Sequence, residues 1–164
     1  MPAIIHGRAA FNGIATGSLP EVAFSGNLQL ENFETHVHAS SVPSHWDSLN
    51  SEVQLSSRYM ILRNATAHSG NAALRVDGSA GLVAWRTSPE SPVHFQVDAV
   101  NFVVSELAKI AGFKHEASGA LTAKGEITGT ISKPQGQATI SWSNGSVEGY
   151  TFDLANAQIG RAHV

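Results

Sequence analysis

The stretch GALTAKGEITGTI, residues 119–131, decides the fold. Its odd positions, Gly119, Leu121, Ala123, Gly125, Ile127, Gly129 and Ile131, are apolar or glycine, while the even ones carry Thr122, Lys124, Glu126, Thr128 and Thr130. Residues two apart share one face of an extended chain, so this is the period of a half-buried β-strand. An earlier stretch, GRAAFNGIATGSL at 7–19, follows the same design: Gly7, Gly13 and Gly17 align with Gly119, Gly125 and Gly129, and Thr16 with Thr128. At the same offset Leu28 and Leu30 align with Ile140 and Trp142. The odd face of the first copy, including Phe11 and Leu19, is also free of polar side chains, and the recurrence predicts a stacked β-repeat.

Working outward, VAFSGNLQL alternates with Val22, Phe24, Gly26, Leu28 and Leu30 on one face. Residues 32–50, rich in His, Ser and Pro, read as an irregular connection around Pro43. EVQLSSRYMILRNA places Val53, Leu55, Tyr59 and Ile61 together, and AALRVDGSAGLVAW places Leu74, Val76, Gly78, Ala80, Leu82 and Ala84 opposite Arg75, Asp77 and Ser79. After a turn at SPESP, VHFQVDA alternates through Val93, Phe95, Val97 and Ala99; beyond SKPQG, QATISWS does so through Ala138, Ile140 and Trp142. The spacing predicts one helix over 102–111, with Val103, Leu107 and Ile110 on a shared face, Asn101 as its N-cap and Gly112–Phe113 as its stop. The expected total is eight or nine strands and a single helix.

Size decides how such a sheet is covered. Strands lie roughly 4.8 Å apart, so eight or nine span on the order of 40 Å, whereas a ten-residue helix is about 15 Å long and 10 Å wide. One helix cannot roof the apolar face. Leaving it wet would forgo ~1.5–3 kcal/mol for each large side chain that could be buried, so the sheet must roll onto itself or meet another apolar phase. The recurring Gly and Ala ease curvature but fill a wide interior poorly. The fold class expected is therefore mainly β: an elongated, curved, partly open sheet of stacked repeats with one short helix.

Composition narrows the partners. With 164 residues, 42% hydrophobic and only 14% charged, the chain has enough apolar material for a core and a surface built from Ser, Thr, Asn and Gln. A net charge of −3 and a pI of about 6.2 give no basic footprint for nucleic acid or anionic lipid headgroups. Zero cysteines exclude disulfides and thiolate metal sites. MPAIIHGRAAFNG lacks the layout of a signal peptide, and no run approaches the ~18 apolar residues of a membrane span. The final IGRAHV looks like the translation of a sequencing-library adapter, which sets 159–164 aside as a probable scar and makes the chain a fragment expected to continue past Gln158.

The segment from Ser91 to Ile159 resembles the repeat unit of the AsmA and TamB group of bacterial envelope proteins. Its order is an alternating strand, a short helix ending near Gly112, a G-x-L-x-x-x-G-x-I-x-G-T strand, a Pro-containing turn, an alternating strand and a G-x-V-x-G-Y-x-F-D-L element. The likeness is best over 50–158; residues 1–50 read as a first, degenerate repeat in which His36 to His45 depart from the pattern. The resemblance implies an internal segment of a long periplasmic protein, inner-membrane anchored outside this segment, whose repeats form an open apolar β-groove. It further implies phospholipid carriage along the groove or outer-membrane protein biogenesis, assembly proteins of the outer membrane as partners, and no enzymatic activity or cofactor.

No hydrolase elbow, phosphate-cradling loop, dinucleotide fingerprint or zinc-protease helix motif occurs. The best metal candidate is HVHASSVPSHWD, with His36, His38, His45 and Asp47, although exposed histidines are the commoner content of such a connection. Asp77 and Asp98 lie on polar strand faces without a second carboxylate at a defined spacing, as solvated residues do. The sequons at Asn64 and Asn144 matter only in a chain secreted by a eukaryote. Trp46, Trp85 and Trp142 are either packing residues or a ligand surface. The leading expectation is a face that shelters phospholipid acyl chains on Phe11, Leu19, Leu121, Ala123, Ile127 and Ile131. The rivals are a filled structural or adhesive β-solenoid and a glycan-binding β-domain.

Overall fold

The computed structural model describes residues 4–18, 21–36, 44–110 and 115–160. Within them nine strands follow one another: β1 (Ile4–Thr16), β2 (Ala23–His36), β3 (Ser44–Ser56), β4 (Tyr59–Ser69), β5 (Ala72–Gly81), β6 (Val93–Val103), β7 (Ala117–Gly129), β8 (Pro134–Val147) and β9 (Tyr150–Ile159). A single helix, α1 (Val104–Ile110), links β6 to β7. The strands pair in sequence order, each antiparallel to the next, and the sheet does not close. The fold is the mainly β, open curved sheet with one short helix that the alternation predicts.

The register organises the side chains into bands that cross the sheet. One band runs through all nine strands as Ala9, Leu30, Leu49, Ala67, Leu74, Ala99, Ala123, Ile140 and Ala157. A second, on the same face, runs Gly13, Gly26, Val53, Leu62, Gly78, Phe95, Ile127 and Gly136, and a third runs Ala15, Phe24, Leu55, Met60, Ala80 and Val93. On the other face the adjoining band reads Ala10, Gln29, Asn50, Thr66, Arg75, Asp98, Lys124, Thr139 and Gln158. A one-residue slip of any strand would exchange the faces, so each band reinforces the register of the next.

Four asparagines bend the sheet. Asn32, Asn64, Asn101 and Asn144 have left-handed φ of 49°, 50°, 57° and 47°, conformations that asparagine tolerates better than most residues. They sit on β2, β4, β6 and β8, each where the pairing with a neighbouring strand slips by a residue. Such bulges bend a strand and increase its twist. Because the even strands all run in one direction, the four bends add. The repeat read from the sequence extends to this device: Gly7 lies opposite the Asn32 bulge as Gly119 lies opposite the Asn144 bulge.

The bend is strongest over β2–β6. Trp46 on β3 and Phe102 on β6 have β4 and β5 between them, about 14 Å of flat sheet, yet their ring centroids are 6.2 Å apart in an edge-on contact. Phe33 stacks on the other side of Trp46 and is 3% exposed. The small residues Ala65, Ala67, Ala72 and Ala80 of β4 and β5 are buried beneath this curl. Of the large side chains of the bands Leu30 is buried, at 8% exposure, and the others remain half-buried or exposed.

Several local expectations are corrected. The connection at 32–50 is mostly strand: β2 runs to His36 and β3 starts at Ser44. Ser57 and Arg58 form a two-residue turn, so Met60 and Leu62, rather than Tyr59 and Ile61, join Val53 and Leu55 on the apolar face. The helix starts at Val104 rather than at residue 102, because Phe102 and Val103 are held by pairing to Leu121 and Ala120. Asn101 is therefore a bulge residue instead of an N-cap. The helix packs on β6 and β7 with Val104 buried. Its proposed stop at Gly112–Phe113 lies outside the described residues.

Candidate functional site: an apolar sheet face

Alternation delivers most of the candidate lipid-facing set to one surface. Ala123 is the β7 member of the nine-strand band, between Ala99 and Ile140. Ile127 is the β7 member of the second band, between Phe95 and Gly136, and is 44% exposed. Leu121 lies between Phe102 and Trp142 on the same face. Phe11 pairs with Leu28 at the outer strand β1 and is 48% exposed. Ile131 does not continue the strand: β7 ends at Gly129, and Ile131 sits in the following turn, its amide donating to the Ser91 carbonyl at 3.1 Å. Leu19 lies outside the described residues. Four of the six thus share the apolar face, and a fifth stands exposed at its rim.

The aromatic contacts divide this face. Over β2–β6 the Phe33–Trp46–Phe102 cluster spans the concavity at one end of the strands, and Trp85, from the turn after β5, packs on Phe24 at 6.1 Å at the other. On β8 and β9 the Trp142 ring meets Phe152 edge-on at 5.0 Å, and its Nε1 donates to the Ser118 carbonyl at 2.9 Å. Gly119 and Gly145 make room: a Cβ on Gly119 would come within 2.6 Å of Trp142 Nε1, and one on Gly145 would clash with the Phe152 ring. The sequence pattern held no hint of these pairings between strands, although an aromatic opposite a glycine is a recurrent way to fill a strand's missing side chain.

The opposite face is polar. A hollow of about 660 Å³ over β5–β9 is lined by Arg75, Asp77, Gln96, Asp98, Lys124, Glu126, Gln137 and Thr139, among others. Its charges pair along and across strands: Arg75 with Asp77 at 3.3 Å within β5, and Lys124 with Asp98 at 3.2 Å and His94 with Glu126 at 3.2 Å between β6 and β7, while Gln137 also donates to Glu126. Asp77 has a structural task. Its Oδ1 accepts the Asn64 amide at 2.7 Å, a group that the bulge releases from the ladder, and Arg75 bridges Asn64 Oδ1 and Asp77 Oδ2. The Asn64 amide, reinforced by Arg75, holds the Asp77 carboxyl below its ordinary value of 3.8 against a small opposing effect of burial. Asp98 Oδ1 is buried without a hydrogen-bond partner.

The metal candidate is not assembled among the described residues. His45 Nε2 lies 3.6 Å from Asp47 Oδ1 on β3 with both side chains about half exposed, His38 lies outside the described residues, and no group of three metal-ligating side chains converges among those described. Asp47 instead accepts the Gly70 amide at 2.7 Å, tying the β4–β5 turn to β3. Each tryptophan lies against a phenylalanine. Comparison with protein-family models, with curated proteins and with solved structures finds no match to this chain.

Proposed function

We propose that the chain is a segment of an AsmA/TamB-like protein of the bacterial envelope, and that its apolar sheet face shelters phospholipid acyl chains in the periplasm. The observation that carries this reading is the apolar band that crosses all nine strands without a polar member, together with the exposure left at Ile127 and Phe11. An extended apolar strip that the protein covers in part suits a ligand that is itself long, apolar and interchangeable along its length. Passive partition supplies the energy, at ~0.8 kcal/mol for each methylene taken from water, and demands little side-chain specificity. In this reading the parent protein is anchored in the inner membrane and works with the assembly proteins of the outer membrane.

The test compares the wild type with the double variant Ala123→Asp/Ile127→Asp, purified from membranes after both are shown to be folded. Two charges in the strip oppose an acyl chain through their desolvation. The expected result is phospholipid in the wild type by mass spectrometry and a large loss in the variant. Equal lipid in both, or none in the wild type, rejects the reading. That outcome would favour the second reading, a structural β-repeat, which the self-packed curl of β2–β6 already supports for that half of the sheet.

A further inference from the structure

The turn between β5 and β6 displays apolar residues at a conformational cost. Val83 and Arg86 exchange backbone hydrogen bonds at 2.8 and 3.1 Å around Ala84 and Trp85, whose φ values are 51° and 69°. Two consecutive left-handed residues are the signature of a tight turn that normally takes Asn-Gly, so Ala-Trp is a strained choice. The turn is held by the surrounding structure: Leu82 donates to the Arg58 carbonyl at 2.7 Å, Trp85 to the Ser57 carbonyl at 3.2 Å, and the Trp85 ring rests on Phe24. The result is a fixed projection with Trp85, 40% exposed, in its tip beside Ala84 and Val83, 66% exposed, at its base.

The same end of the sheet carries a matching set of side chains. Tyr59 and Ile131 are exposed there, and Arg58, Arg86 and Lys133 supply cations against Glu21, which is engaged by Arg58 at 3.0 Å, and Glu90. A tryptophan and a tyrosine beside exposed aliphatic side chains, with Arg and Lys at the same end of the sheet, match the chemistry of a phospholipid headgroup region, where amphipathic rings settle and cations meet phosphate.

We propose that this end of the sheet docks on the surface of an anionic phospholipid bilayer. Val83 and Trp85 enter the headgroup layer, and Arg58, Arg86 and Lys133 face the phosphates. The proposal deepens the acyl-chain reading and rests on it: Phe24, under Trp85, belongs to the apolar band of Ala80 and Val93, so docking here places the end of the apolar face against the source of lipid.

The experiment is flotation of the chain with vesicles of phosphatidylcholine alone or mixed with phosphatidylglycerol, using wild type, Val83→Asp and the double variant Arg86→Gln/Lys133→Gln. The wild type should float with the anionic vesicles and far less with the neutral ones. Val83→Asp should weaken that binding about tenfold or more, since it puts a charge where docking would bury an apolar side chain in the headgroup layer. The double variant should lose about fivefold per cation on anionic vesicles, with little change on neutral ones. Brominated phosphatidylglycerol should quench the wild type's tryptophan emission, a readout that needs no variant to fold. Failure of the wild type to float or be quenched, or wild-type binding by either variant, overturns the proposal. Lipid co-purification stays an independent readout, since Val83→Asp leaves Ala123 and Ile127 intact. Loss of vesicle binding with retained lipid supports docking and cargo together, whereas retained lipid in a wild type that does not float overturns docking alone.

Discussion

The two flanks of the sheet use the same alternation for different ends. Over β2–β6 the apolar face curls on itself until Trp46 meets Phe102, and alanines at 4–9% exposure line the crease. Over β7–β9 the same bands continue, but no later described strand folds back over them; Ile127 is half exposed and β9 is exposed along most of its length. Ala65, Ala67, Ala72 and Ala80 let opposing walls approach, and three aromatic rings then fill the end of the curl. On β7 and β8 the partners are Leu121, Ile127, Ile140 and Trp142, which occupy the face with Phe152 as the aromatic set against them. One sheet therefore provides a self-sufficient core and, beside it, a surface whose burial is incomplete.

The sharpest way to break this comparison is to remove a ring from each side. Phe33→Ala empties a site that is 3% exposed and takes away the partner stacked on Trp46, so it should cost about 3–5 kcal/mol in urea unfolding followed by far-UV circular dichroism. Ile127→Ala on the open flank should cost under about 1.5 kcal/mol, because its side chain is already partly in water. Comparable losses at the two sites would show that the flanks are equally buried in solution and that the open face has found a cover.

A smaller effect tests how the open flank keeps its aromatic pair. Gly119 combines a φ of 113° with the near approach of Trp142 Nε1, so Gly119→Ala is strained in backbone and crowded in side chain at once. The expected loss is about 1–3 kcal/mol, with a change in near-ultraviolet dichroism as the Trp142–Phe152 contact is disturbed. An unchanged spectrum and unchanged stability would mean that Trp142 is not seated against the bulge.

The contrast also explains what the sequence made legible. Period-two alternation identifies strands and faces wherever a strand is uninterrupted, and Lys124 and Glu126 duly lie opposite Ala123 and Ile127. It fails where the backbone inserts or removes a residue. A turn of only Ser57 and Arg58 reverses the parity of Tyr59 and Ile61, and a bulge at Asn101 carries β6 into a segment with helical spacing. The asparagines at 32, 64, 101 and 144 were visible as residues, but their shared role appears only when the register is known. The curl itself is a relation between β3 and β6, and no local pattern encodes it. Of the candidate site, the face was legible; which part of it closes is set by a contact between strands far apart in sequence, Trp46 with Phe102.

The smallest effect concerns the polar side of the crease. Asp77 accepts the Asn64 amide that the bulge frees, and this hydrogen bond, with Arg75 beside it, stabilises the carboxylate over the acid. A carboxyl group whose folded value lies below its unfolded one adds stability that is fully present above the unfolded value of 3.8 and disappears as the pH falls through the lowered folded value. Asp77 is 38% exposed and solvent weakens the pair, so the contribution at neutral pH should stay within about 1 kcal/mol. Asp77→Asn keeps an oxygen to accept the Asn64 amide but cannot titrate. Urea unfolding at pH 7 should therefore find the variant slightly less stable than the wild type, and below the ordinary carboxylate range the two should converge. A constant gap at every pH would mean that the charge of Asp77 contributes nothing, and that the bulge on β4 is held by hydrogen-bond geometry alone.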